Sequence, residues 1–344
     1  MSLADQVDAA VKQLLDTHEE ADAQLAAENA ATIDRLTQQV SEAELAEAAA
    51  VQALADYKAT HPDPTPPPPP PPVKTIFSAY PGPLTIGGDA QSATARKRVA
   101  TALGVTTLPV DRVYGGDAYS GKATQSPSPT IAVSIGSKWI KPLGAGDATA
   151  VKTLQTELAS YAARPTQQFH LAGDHENDAK IRKGTYTAAD VAKGHAAIKK
   201  IVDAMGLPNV EVCLGGITGW VLSNVAKTDP SYPTQWFHPE NYDRLTIDAY
   251  WVTQKTIGAA FDPARDWALQ WGLPLAVWET GWSTDSNPQS LTDTQAAAKV
   301  QAIRDYWRAA KFDYVLFFES AKGDNLFETR PQTNAVWAAA AQGK

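Results

Sequence analysis

An eight-stranded parallel α/β barrel, set behind a helical stem, is the fold class this sequence predicts, and three observations predict it. From residue 73 onward, short apolar runs alternate with helix-length segments, the pattern of parallel strands joined by helical crossovers. Eight such units fit within about 270 residues, the size of a TIM (β/α)8 barrel. No Gly-x-Gly-x-x-Gly follows the first apolar run, so the doubly wound alternative lacks the phosphate-binding turn of a dinucleotide fold.

The elements follow in chain order. Residues 1–60 contain no Gly and no Pro and are rich in Ala, Glu and Gln, which favours one or two long helices. Heptad spacing runs through Ile33, Leu36, Val40, Ala43, Ala50, Leu54 and Tyr57, with Glu47 interrupting it. An earlier set, Leu3, Val7, Ala10, Leu14 and Ala21, has a different phase, as a stutter allows. A coiled-coil-like stem is expected, with a solvated helix or a hairpin bent near Glu28-Asn29 as the plainer alternative. Residues 61–73 hold seven consecutive prolines, Pro66 to Pro72. Such a run adopts polyproline II and acts as a stiff spacer of roughly 20 Å, at about 3.1 Å per residue.

Residues 74–344 are the expected barrel. Candidate strands are 75–78, 112–114, 130–135, 168–171, 210–214, 245–250, 275–278 and 314–318. Helix-like segments are 92–103, 147–163, 188–205, 262–271 and 293–311, with 331–341 as a closing helix and two crossovers less distinct.

Bulk composition excludes several classes. Of the net charge of −8, residues 1–60 hold −9, from twelve acidic and three basic residues, so the rest is near neutral. Neither part offers the basic stripe of a nucleic-acid binder. No apolar stretch approaches the ~20 residues of a membrane span, and no signal peptide is expected at the start. Cys213 is the sole cysteine, so no intrachain disulfide forms, and it reads as an inert core residue. There is no Gly-x-Ser-x-Gly elbow, no Walker loop and no His-Glu-x-x-His helix. No cofactor or metal is expected, although His170, His175 and Asp174 lie near one another in sequence.

Two carboxylates stand out. Leu273-Pro274-Leu275-Ala276-Val277-Trp278-Glu279 is an apolar run that delivers Glu279 at the end of the seventh candidate strand. Glu176, in Asp174-His175-Glu176-Asn177, follows the fourth. Paired carboxylates at the carboxyl ends of barrel strands have the geometry for glycoside hydrolysis. Retention needs them ~5–5.5 Å apart, one ionised to attack and one protonated to donate. Tyr250 is a candidate donor that would keep Glu279 ionised, and His175 could orient either group. Asp174, Asp178 or Glu319 could replace one of the pair. The plainer reading makes these carboxylates surface or cap residues.

With those residues in view, the domain resembles the large superfamily of (β/α)8 glycoside hydrolases whose catalytic glutamates end strands four and seven. His175-Glu176-Asn177 resembles the acid/base motif of mannanase-like members, and Trp278-Glu279-Thr280-Gly281 resembles the nucleophile strand. The resemblance implies Glu176 as acid/base and Glu279 as nucleophile. Substrate-binding candidates are His175, Asn177, Asp248, Tyr250, Trp251, Trp282 and Glu319. Ten tryptophans favour sugar stacking. Trp220, Trp236, Trp251, Trp278 and Trp282 follow or end candidate strands, whereas Trp267, Trp271, Trp307 and Trp337 read as helix packing.

The layout of acidic stem, spacer and sugar-site barrel resembles a minor tail protein of an actinobacteriophage. That resemblance implies a virion component assembled in the host cytoplasm. Its partners would be other tail proteins, bound through the N-terminal helices, and a host-envelope polysaccharide. It also implies a homo-oligomer, a trimer by analogy with tail fibres, and no membrane insertion. The expected activity is retaining O-glycosyl hydrolysis. The alternatives are a barrel that binds carbohydrate without cleaving it and a purely structural tail component.

Overall fold

The computed structural model describes residues 38, 75–81, 93–114, 123–251, 256–282, 291–319 and 330–344, without the side chains of residues 79–81, 282 and 319. The expected stem and polyproline spacer therefore lie outside the described residues, apart from Gln38. The chain divides between Pro71 and Pro72, and the unit from Pro72 to Lys344 is the barrel.

That unit is a parallel α/β assembly whose strands are β1 (Ile76–Pro81), β2 (Val110–Tyr114), β3 (Thr130–Ser134), β4 (Gln168–Ala172), β5 (Val210–Cys213), β6 (Leu245–Trp251), β7 (Leu275–Trp282) and β8 (Tyr314–Glu319). The helices are α1 (Ala93–Ala102), α2 (Ile140–Gly144), α3 (Ala148–Ala162), α4 (Asn177–Arg182), α5 (Ala188–Met205), α6 (Gly219–Asn224), α7 (Ile257–Leu269), α8 (Asp293–Ala309) and α9 (Pro331–Ala341). The strands form two parallel arrays, β2-β3-β4-β5 and β1-β8-β7-β6. A two-residue segment, Ile217–Thr218, adds to the free edge of β6.

Two seams join the arrays. Ser78 Oγ donates to Val110 O at 2.8 Å between β1 and β2. Cys213 bridges to Arg244 between β5 and β6, with Asp243 N donating to Val212 O at 2.8 Å. The strands thus follow one another around a TIM-barrel-like ring.

Alternation along each strand divides the apolar residues between two cores. Ile131, Val133, Phe169, Leu171, Val212, Ile247, Val277, Val315 and Phe317 face the helices. Val110, Ala132, Ala172, Cys213, Ala276, Trp278, Tyr314 and Leu316 form a second cluster inside the barrel. The four small side chains of that set leave room for the indole of Trp278 and the ring of Tyr314, as interior close packing requires. Cys213 is fully buried there, and burial pushes its thiol well up, which keeps it inert.

Short polar signals fix the helix starts. Asp147 caps α3, and Thr187-Asp190 and Thr292-Gln295 form capping boxes on α5 and α8. The helix expected over 262–271 begins earlier, because the Thr256 hydroxyl accepts from Ala259 N at 3.2 Å and nucleates the turn ahead of Pro263. The closing helix α9 buries Trp337, whose Nε1 donates to Ser78 O at 2.7 Å and whose ring meets Phe77 edge-on. Trp267, Trp307 and Trp337 are buried, and Trp271 packs against the same core. No helix among the described residues is long and apolar enough to cross a membrane.

Candidate active site

Parity along β7 would place Trp278 and Glu279 on opposite faces. The strand avoids this with a bulge. Ile247 pairs with Val277, yet the next pair is Asp248 with Glu279, and on the other side Val277 pairs with Val315 while Thr280 pairs with Phe317. Trp278 therefore fills the barrel interior, Glu279 turns toward the inward residues of β6, and Thr280 returns to the outer face to meet Trp307 Nε1. Bulges commonly re-aim a side chain beside an active site.

A polar chain below Glu279 holds the bulge. Trp278 Nε1 donates to the Tyr314 hydroxyl at 2.8 Å. Burial, aided by the Arg244 charge, pushes His170 down to about 3, so its ring is neutral. Tyr314 can then donate to His170 Nδ1 at 2.9 Å, leaving His170 Nε2–H facing Glu211 at 3.5 Å.

Glu279 is 6% exposed. Burial alone would raise its carboxyl, but the His175 charge and three hydrogen bonds outweigh this and hold it at about 2. Tyr114 OH donates to Oε1, Tyr250 OH donates to Oε2 at 2.5 Å, and His175 Nε2 lies 3.1 Å from Oε1. On the other edge of the imidazole, Nδ1 is 3.4 Å from Asp248 Oδ2. Burial disfavours charge on His175, yet Glu279 and then Asp248 overcome it and raise the ring to about 9. Asp248, at 2% exposure, is pushed well up by burial, a shift only partly offset by His175.

The loop after β4 presents Glu176 through an unusual backbone. Glu176 sits at φ 51°, ψ 58°, the left-handed region that non-glycine residues seldom occupy outside constrained or functional sites. Its N–H donates to Gly215 O at 3.1 Å. Gly215, at φ +96°, must be glycine, since a Cβ there would lie 1.9 Å from Asp174 O. Gly216 similarly leaves space for the Asp248 carboxylate, which a Cβ would meet at 2.2 Å. Burial raises the Glu176 carboxyl; the His175 charge lowers it, and Glu279 and Asp178 raise it further.

Of the nine site candidates drawn from the sequence, the structure brings together His175, Glu176, Asp248, Tyr250 and Glu279. Asn177 is fully buried, with Nδ2 donating to Leu214 O and Oδ1 2.9 Å from the Tyr186 hydroxyl, so its amide holds the loop rather than facing a ligand. Trp251 lies on the opposite face of β6 from Tyr250, packed on the outer core with Lys299 Nζ 3.9 Å above its ring. The side chains of Trp282 and Glu319 lie outside the described residues. Asp174 accepts from His175 N and Tyr186 OH, and Asp178 accepts from Arg182, Thr218 Oγ1 and Thr218 N. Both aspartates are committed to holding loops. Trp236 is buried and donates to Ser231 O, which makes it a packing residue.

Two residues of the site escaped the sequence reading, Arg112 and Tyr114. The Arg112 guanidinium lies between the rings of Trp278 and Tyr114, at 4.0 and 4.3 Å, and Nη2 reaches Ser134 Oγ and His175 Nδ1 at 2.9 and 3.2 Å. The available signal was two polar residues at i and i+2, on either side of Val113, at the carboxyl end of a strand.

His175, Glu176 and Asp248 offer ligand atoms within 4.8 Å of one another. With the Arg112 cation 3.2 Å from His175 Nδ1, this cluster suits protons rather than a metal ion. It can keep one carboxylate ionised and accessible in chemistry while a second retains its proton, the division of labour that acid/base pairs need.

The raised His175 has a stability consequence. A folded value of about 9 against an ordinary 6.5 means its contribution is complete below 6.5 and is lost as pH rises through 9. The unfolding free energies of the native protein and His175→Gln should therefore converge between pH 6.5 and 9. A gap that stays constant across this window would show that the ring is not charged in the folded state.

The fold is similar to those of known carbohydrate-active proteins. A modular endo-β-1,4-mannanase from Cellulomonas fimi matches at TM-score 0.52 and 15% identity, over 76% of this chain and 70% of that one. The catalytic domain of a family 26 endo-β-1,4-mannanase from Bacillus sp. JAMB-750 matches at 0.51 and 14%, over 78% and 86%. The cellulose synthase subunit Z of Clostridioides difficile matches at 0.51 and 10%, over 76% and 98%. No protein-family model matches the chain, and no curated protein does.

Proposed function

We propose that the barrel is a retaining O-glycosyl hydrolase acting on a polysaccharide, with Glu279 as nucleophile and Glu176 as acid/base. One observation carries the reading: a buried carboxylate held ionised by two tyrosines and an imidazolium, beside a second carboxylate that burial pushes above the ordinary carboxylate range. Glu279 attacks the anomeric carbon and the glycosidic C–O bond breaks. The Glu176 proton passes to the leaving oxygen. Water then adds to the anomeric carbon, giving its proton to Glu176 and releasing Glu279. Tyr114, Tyr250 and His175 fix the Glu279 carboxylate, and Asp248 faces the second ring N–H of His175 at 3.4 Å.

The similarity to proteins described as endo-β-1,4-mannanases supports an equatorially β-1,4-linked backbone as the first substrate class to test. The acidic, glycine-free and proline-free first 60 residues and the seven-proline run support a projecting module of a phage tail that meets a host-envelope glycan. In that setting the N-terminal helices would join other tail proteins and a second and third copy of the chain.

The test is hydrolysis of β-1,4-mannan, β-1,4-glucan and purified actinobacterial envelope polysaccharide, with product anomers followed by NMR. Cleavage with the β configuration kept in the first product supports the reading. An α anomer formed first would overturn retention. Binding without cleavage would mark the barrel as a carbohydrate-recognition module.

A further inference from the structure

Among the described residues, Trp220 is the one aromatic side chain that stands among the exposed large apolar residues, at 54% exposure. Its place is set by register. Thr218 pairs with Asp248, the β6 residue that also pairs with Glu279 on β7. Two residues further on, at the start of α6, Trp220 therefore stands at the mouth end of the barrel, one level beyond the carboxylates. Gly219, between them, lies within 3.5 Å of Asp248 O and Ala249 Cβ for any added Cβ, so the turn hugs β6.

The indole is also held. Arg182 Cζ lies 4.6 Å from its ring. Arg182 Nη1 in turn donates to Asp178 Oδ2 at 3.1 Å, and Asp178 receives Thr218 Oγ1 at 2.5 Å and Thr218 N at 3.2 Å. Asp178 is fully buried and lies two residues after Glu176, within the helix that Glu176 caps. One buried carboxylate thus fastens both the Glu176 loop and the root of Trp220. An exposed indole costs solvation of apolar surface, and one already held against a neighbour has less conformational entropy to lose on binding.

We infer that Trp220 is a sugar-stacking platform on the leaving-group side of the cleft, taking one hexopyranose of the polymer against its exposed face. The assignment of side rests on the proposed function, because Glu176, the group tied to Trp220 through Asp178, is there the proton donor to the leaving oxygen. The apolar C–H face of a pyranose suits the indole, and Arg182, already paired with Asp178, backs the ring.

The experiment compares Glu279→Gln with the double variants Glu279→Gln/Trp220→Ala and Glu279→Gln/Trp220→Tyr by affinity electrophoresis in gels containing β-1,4-mannan or β-1,4-glucan. Trp220→Ala should weaken retardation by about tenfold in Kd, and Trp220→Tyr should restore most of it. In the otherwise native chain, Trp220→Ala should lower the ratio of kcat/KM on polymer to kcat/KM on a 4-nitrophenyl disaccharide by a similar factor. Equal retardation of all three proteins, or no retardation of Glu279→Gln in either gel, would overturn the platform. Loss of retardation with an unchanged polymer-to-aryl ratio would overturn its placement on the leaving-group side. Retardation that depends on Trp220 in a protein that cleaves nothing would leave the platform standing and sink the hydrolase reading instead.

Discussion

Glu279→Gln lowers kcat/KM on any polysaccharide the protein cleaves by at least about a thousandfold, a loss of about 4 kcal/mol of transition-state stabilisation. The amide cannot form the glycosyl ester, and it also meets the wrong partners. The native carboxylate accepts from Tyr114, Tyr250 and His175. A glutamine there presents an NH2 group to at least one of those donors. Removing the charge also withdraws the largest influence that keeps His175 protonated, so the His175 ring in Glu279→Gln should titrate well below its native value of about 9. Native-like unfolding with lost hydrolysis assigns the defect to chemistry. Activity within tenfold of the native protein would remove Glu279 from the mechanism.

Glu176→Gln should cost about 10²- to 10⁴-fold on a polysaccharide, the usual contribution of general acid catalysis, and far less on an activated aryl glycoside whose leaving group needs no proton. The pH profile gives the sharper reading. Glu176 must be protonated to donate, and burial holds its carboxyl above the ordinary 4.5. Activity of the native protein should therefore fall as pH rises through that raised value. The acid limb belongs to Glu279, which stays ionised down to about 2. In Glu176→Gln the alkaline limb should vanish. If it persists unchanged, the group responsible is another one, and His175, which sheds its proton near 9, is next in line.

The strand order and the two glutamates were legible because they depend on local patterns. Alternating apolar runs and helical stretches gave the β/α sequence, and Glu176 and Glu279 stood at the ends of the fourth and seventh runs. Tyr250 was legible for the same reason, two residues beyond Asp248 on an inward parity. Less legible was everything set by a single-residue offset. The bulge at Trp278–Glu279 turns two consecutive residues inward, and no sequence period announces it. Trp251 follows Tyr250 by one residue and so falls on the helix-facing side.

Contacts between distant strands were illegible for a different reason. Arg112 and Tyr114 reach His175 and Glu279 across 63 and 165 residues of chain. In sequence they resemble the polar half of any half-exposed strand. Asp174 and Asp178, which crowd Glu176 in sequence, are separated from it in role by their partners, Tyr186 for one and Thr218 with Arg182 for the other. The glycines at 215 and 216 show their purpose only when the Asp174 carbonyl and the Asp248 carboxylate are seen beneath them.

In a retaining mechanism Glu279 becomes covalently glycosylated. The direct measurement is mass spectrometry of the protein after exposure to activated 2-deoxy-2-fluoro-β-glycosides of mannose and glucose, whose fluorine slows hydrolysis of the ester. The expected result is a mass gain of one fluoroglycosyl unit, located on the peptide that contains Glu279 and absent from Glu279→Gln. An adduct on another residue, or full turnover of polysaccharide with inversion and no adduct, would contradict it.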